Sequence, residues 1–119
     1  MESSLYDTPA IKKDVNEITE NDKRIQILGT VVEYIAGTVG DSSSLSEVIL
    51  SDGTGNIRVF IDEDIDREYK PKEIIRVFGR VGKDERGLYL NAEIIQDMNK
   101  LNIDLYKKIR KLRKLINNK

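Results

Sequence analysis

The run Leu50-Ser51-Asp52-Gly53-Thr54-Gly55-Asn56-Ile57-Arg58-Val59-Phe60-Ile61 confines this chain to a small set of architectures. Asp52-Gly53, with Gly55 close behind, supplies residues that tolerate positive φ, and β-forming residues flank the loop on both sides. The segment therefore reads as a β-hairpin. Beyond the turn, Ile57, Val59 and Ile61 fall on one face of a strand, and Arg58 and Phe60 on the other. The apolar trio claims the core, which leaves a cation and an aromatic ring sharing the outer face.

Strand signals surround the hairpin. From Lys23 to Tyr34 a long β-run sets Ile25, Ile27 and Val31 inward with Gly29 between them. The small, polar stretch Ala36–Ser44 reads as a loop leading to a second strand over Leu45–Ser51. A fourth strand, Ile74–Val81, puts Ile75, Val77 and Val81 on one face, with Arg76, Phe78 and Arg80 on the other and Gly79 near its middle. After the charged hairpin loop Lys83–Gly87, a fifth strand over Leu88–Ile95 sets Leu90, Ala92 and Ile94 inward and Tyr89, Asn91 and Glu93 outward. Glycines inside the first and fourth strands mark bulges or sharp bends, as when strands coil around a small barrel. Five strands at this spacing predict a closed Greek-key barrel, because a sandwich needs about seven.

Before the barrel, residues 1–22 are polar and acid-rich and read as a flexible arm with a short ordered piece near Ala10–Val15. After it, Leu101, Leu105, Ile109, Leu112 and Ile116 recur at spacings of 4, 4, 3 and 4, an apolar stripe on a helix within residues 98–119. The chain thus divides into an arm (1–22), a barrel (23–97) and a helix (98–119). That stripe predicts packing against a partner helix, in another subunit or a second copy.

Composition narrows the chemistry. The chain has 119 residues and neither Cys nor His, which removes disulfides, thiolate and imidazole metal sites, and the commonest general base. The acids Asp62, Glu63, Asp64 and Asp66 lack an ordered metal-loop pattern and read as a solvated connector; Pro71 rules out a long helix there. No cofactor or metal is expected. No stretch is apolar enough to span a membrane, so a cytoplasmic protein is expected, nucleoid-associated in a prokaryotic or archaeal cell. From Lys100 onward, eight Lys and Arg stand against Asp104 alone, a charge of +7; since the whole chain carries −1, the other 99 residues carry −8.

With five strands placed, the order Ile27-Leu28-Gly29-Thr30-Val31-Val32, Asp52-Gly53-Thr54-Gly55, Ile75-Arg76-Val77-Phe78-Gly79-Arg80-Val81 resembles an OB-fold nucleic-acid-binding domain. The joint Ile94–Lys100 leading into the helix resembles the middle subunit of replication protein A in its archaeal-type setting. That resemblance implies a non-catalytic single-stranded-DNA-binding subunit in replication and repair, whose last helix bundles with the other subunits. Phe60 stands where the family carries its stacking aromatic on the third strand, while the family's second ring has no counterpart in Lys83–Gly87. The site residues implied are Phe60, helped by Tyr89 or Phe78, for base stacking, with Arg58, Lys83 and Arg86 for phosphates. Arg76, beside Phe78, completes the set. Two rivals remain open: a protein-interaction OB scaffold with little DNA binding of its own, favoured by the acidic body, and an RNA-binding OB domain using the same groove.

Overall fold

The computed structural model describes residues 10–37, 45–62, 64–100 and 102–117. Six strands form in chain order: β1 (Ile11–Lys12), β2 (Arg24–Ile35), β3 (Ser46–Ser51), β4 (Asn56–Ile61), β5 (Ile74–Asp84) and β6 (Gly87–Asp97), followed by α1 (Ile103–Asn117). The strand order β1-β2-β3-β4-β6-β5 closes on itself through pairing of β2 with β5, giving a barrel of five strands with β1 outside it.

Alternation fills the barrel as the sequence predicts. Ile25, Ile27, Val31, Val48, Leu50, Val59, Ile61, Ile75, Val77 and Leu90 are the largest fully buried side chains, drawn from all five barrel strands. The hairpin has Ser51 opposite Asn56, and Gly53 takes φ 90° in its turn. Gly79 sits where the backbone of β6 passes so close that a Cβ would lie 2.5 Å from the Asn91 carbonyl oxygen.

That close approach accompanies a bulge which overturns one expectation. The register of β5 against β6 shifts between Phe78 and Gly79, leaving Glu93 as an extra residue. Beyond a bulge the in-and-out parity reverses. Ile94, expected inward, is therefore 55% exposed, and Ile95 packs on the core in its place.

The arm is more ordered than expected from residue 10 onward. β1 pairs in parallel with β2, a 3₁₀ turn forms at Val15–Glu17, and Ile18 is buried in the core. The turn is held on the hairpin tip: the Val15 amide donates to the Asp52 carboxylate at 2.8 Å and the Asn16 amide to the Thr54 hydroxyl at 3.2 Å. An acid-rich segment becomes ordered here because the hairpin offers acceptors for its amides and the barrel end offers Ile18 an apolar seat.

The connector between β4 and β5 forms no helix and is pinned by side chains. The Tyr34 hydroxyl donates to Asp66 at 3.1 Å, Arg67 bonds Glu73 at 2.8 Å, and Tyr69 is buried beneath the Arg67 guanidinium, 4.0 Å from its ring centroid. Tyr34 thus ties the end of β2 to the connector. Within the acidic segment Asp62 accepts from the Asp64 amide at 3.0 Å and Asp66 from the Tyr34 and Ser46 hydroxyls; Glu63 lies outside the described residues.

Candidate nucleic-acid interface

The outer face of β3, β4 and β6 gathers the aromatic and cationic side chains singled out in the sequence. Across β3–β4, Phe60 lies opposite Glu47 and Arg58 opposite Ile49. β6 joins β4 in parallel, with Tyr89 beside Arg58 and Asn91 beside Phe60. The Phe60 and Tyr89 rings meet edge to face, centroids 5.1 Å apart and planes at 79°. The Lys83–Gly87 loop carries no ring, and Tyr89 lies two residues beyond it. Tyr89 lies over its cross-strand partner Gly82, where a Cβ would come within 2.5 Å of the ring.

Arg58 is the frame of this face. Its guanidinium bonds both oxygens of Asp84, at 2.9 and 2.6 Å, and the Gly87 carbonyl at 3.0 Å. It stands 5.7 Å from the Phe60 centroid and 5.6 Å from that of Tyr89. The bidentate bond from Arg58 holds the Asp84 carboxyl down to about 2. With only 7% of its surface exposed, Arg58 is positioned to fix the two rings; its fork is already filled by Asp84. The Arg58 fork, expected for phosphate, holds Asp84 in this structure, because that loop acid lies within its reach.

One hollow lies beside Arg58 and another at the rings. The first, of about 440 Å³, is lined by Val15, Ile18, Ile49, Asn56, Arg58 and Arg86 among others; the second, of about 250 Å³, is lined by Leu45, Phe60, Asp84, Tyr89 and Asn91. The remaining loop cations also have acidic neighbours. Lys83 pairs with Glu20 at 2.7 Å, both well exposed, and Arg86 approaches the largely buried Glu47 at 3.9 Å.

Arg76 and Phe78 do not join the face. Phe78 lies between Gln26 of β2 and Ile94 of β6, and Arg76 between Leu28 and Gln96, on the side of the barrel formed by β2 and β5. Parity marks both as outward, but closing the sheet carries β5 around to another side. Asp84 is the site residue that sequence reasoning missed. Its signal was the alternation Gly82, Asp84 carried past the supposed end of the fourth strand, for β5 runs on to Asp84.

α1 opens with an Asn102 cap, whose side-chain oxygen accepts from the Leu105 amide at 3.0 Å. Its apolar stripe faces solvent, with Leu105 53%, Ile109 42%, Leu112 58% and Ile116 67% exposed; Leu101 lies outside the described residues. The helix instead turns Tyr106, Arg110 and Lys114 towards the body. Arg110 bonds Asp14 at 2.9 Å, and Lys114 bonds both Asp14 and Glu17, the latter at 3.2 Å. Burial pushes the Asp14 carboxyl up, but its bonds from Lys114 and Arg110 outweigh this and hold it below its ordinary value. No helix among the described residues is long and apolar enough to cross a membrane, and no group of three acidic, His or Cys side chains among them could hold a metal ion.

A closed five-strand barrel of this order, followed by a helix, is an OB fold. No protein-family model matches the sequence, and neither does any curated protein. Solved structures do match. The chain is similar to the second OB-fold domain of replication protein A from Methanococcus maripaludis, with a TM-score of 0.63 at 25% identity over 76% of this chain and 98% of that one. It also matches a chain of the S. pombe Stn1–Ten1 complex, TM-score 0.60 at 19% identity, covering 80% of this chain and 72% of that one. A chain of a replication protein A heterotrimer bound to single-stranded DNA matches with a TM-score of 0.59 at 14% identity, covering 80% and 73%. The last two likenesses concern the fold alone; the first makes the barrel similar to a replication protein A OB domain.

Proposed function

We propose that this chain is a non-catalytic single-stranded-DNA-binding subunit of a replication protein A-like assembly, working in replication and repair in the cytoplasm or on the nucleoid. Bases would stack on Phe60 and Tyr89, and α1 would join the other subunits through its apolar stripe. The observation that carries this reading is the Phe60–Tyr89 pair, held by Arg58 and Asp84 and lining an open hollow. Stacking surfaces fixed in advance lose less freedom when a base arrives. The likeness to the Methanococcus domain and to the DNA-bound heterotrimer supports the same ligand.

Titration of oligo-dT at two salt concentrations tests it. Wild type should bind with log K falling against log salt at about 0.7 per phosphate, a slope near −2 to −3 for three or four contacts. Phe60→Ala should cost about 1–3 kcal/mol, a loss of about five- to 150-fold. An unaffected variant sinks the stacking mechanism. A protein-interaction scaffold is the second reading, favoured by the acidic partners of Lys83 and Arg86 at the rim; absence of wild-type binding would establish it over the first. Equal titration with oligo-U would extend the ligand to RNA.

A further inference from the structure

Cations are distributed unevenly between the two sides of the β3–β4 hairpin. On the aromatic side, Arg58, Lys83 and Arg86 each have an acid partner. On the other side, α1 crosses the hairpin tip and encloses a cleft of about 330 Å³ lined by Asp52, Gly53, Thr54, Lys107, Lys111 and Lys114 among others. Lys107 extends its ammonium over Gly53, 3.2 Å from where a Cβ would stand. Among the described residues no ion pair engages Lys107 or Lys111, nor Lys12 beyond them. Arg76, in the adjoining hollow with Lys12 and Lys107, bonds only the Gln96 side-chain oxygen.

The acids at this cleft are already occupied. Asp14 takes Arg110 and Lys114, and Glu17 takes Lys114. Asp52 accepts from the Val15 and Thr54 amides and the Thr54 hydroxyl. Lys107 and Lys111 thus bring ammonium groups without an ion pair to the cleft beside the hairpin tip, whereas the cations beside the rings are paired.

We infer that the cleft between α1 and the hairpin is a phosphodiester-binding extension of the aromatic face, with Lys107 and Lys111 as its phosphate contacts. This rests on the proposed single-strand binding and adds where the backbone goes. Asn56 lines the hollow beside Arg58, and Thr54 lines the cleft; only Gly55 lies between them. From Phe60 to Asn56 is four residues of strand, about 13 Å, and the turn lies beyond, so the cleft stands several nucleotides from the rings. A strand leaving Phe60 along β4 and passing the Val15–Asn16 turn at the tip then meets the lysines. The polar flank of α1 serves the nucleic acid while its apolar stripe stays free for a subunit.

The test is the salt dependence of oligo-dT binding by the full chain carrying Lys107→Ala with Lys111→Ala. Alanine is the strongest helix former, so α1 is retained. Two lost contacts should flatten the slope by about 1.4, whereas Phe60→Ala weakens binding at unchanged slope. Lys108→Ala, outside the cleft, controls for bulk charge and should leave the slope unaltered. An oligomer of about four nucleotides, enough for the rings alone, should not distinguish the double variant from wild type. Three results would overturn the inference while sparing base stacking: an unchanged slope in the double variant, an equal effect of Lys108→Ala, or an equal loss on the short oligomer. Failure of the wild type to bind any oligo-dT would remove both proposals.

Discussion

At the residue scale, the candidate interface depends on one side chain that is absent. Gly82 leaves the space over which Tyr89 lies, and Tyr89 in turn abuts Phe60. A methyl group at 82 would enter the ring, so Gly82→Ala must displace Tyr89 without touching Phe60 or Arg58. The expected outcome is a loss of oligo-dT affinity approaching that of Tyr89→Ala, with stability lowered by about 1–3 kcal/mol from overpacking. Affinity and denaturant midpoint measured together check this, and full affinity in Gly82→Ala would remove Tyr89 from the platform. The same scale shows what the sequence could convey. Phe60, Arg58 and Tyr89 were legible as outward residues, because alternation reports orientation directly. The engagement of Arg58 by Asp84 was not, since 26 residues separate them in the chain and only the barrel brings them together.

At the scale of elements, α1 presents its surfaces in an unusual sense. The side facing the body is polar and ion-paired, and the apolar stripe is exposed. Ion pairs of this partly exposed kind each contribute about 1 kcal/mol or less, so the body holds the helix lightly. An exposed row of Leu105, Ile109, Leu112 and Ile116 is a surface suited to another helix. Leu105→Asp with Leu112→Asp should abolish association with other subunits or with a second copy, while the thermal transition of the barrel stays within a few degrees. Sedimentation and calorimetry of the same variant decide it. An assembly unaffected by both charges would place the interface elsewhere. Here the periodicity of 4, 4, 3 and 4 was fully legible, since helical spacing is a local property; the direction of the stripe was set by Asp14 and Glu17, far away in the chain.

For the whole molecule, the division of charge is the organising fact. The basic tail is anchored to the acidic arm by Asp14 and Glu17, and the barrel is secured by Arg58–Asp84 and Arg67–Glu73. The Arg58 bond lowers Asp84 to about 2 from 3.8, and Arg67 lowers Glu73 to about 2 from 4.5. Both carboxyls bind protons less readily folded than unfolded, so their contribution is complete above the ordinary carboxylate range and is lost as pH falls towards 2. The thermal midpoint should therefore be flat above about pH 5 and fall steeply between about pH 4 and 2, less steeply in Asp84→Asn. A midpoint indifferent to acid would contradict these pairs. The sequence by itself determined the five barrel strands, the hairpin, the inward set apart from Ile94 and the helical stripe, because each is written in spacings of a few residues. Only the tertiary structure decided which outward residues share a side. Closing the sheet separated Phe78 and Arg76 from Phe60 and delivered Asp84 to Arg58. A bulge turned Ile94 out, and the arm folded onto the hairpin Asp52–Gly55. Those outcomes depend on contacts between residues distant in sequence, which local periodicity does not encode.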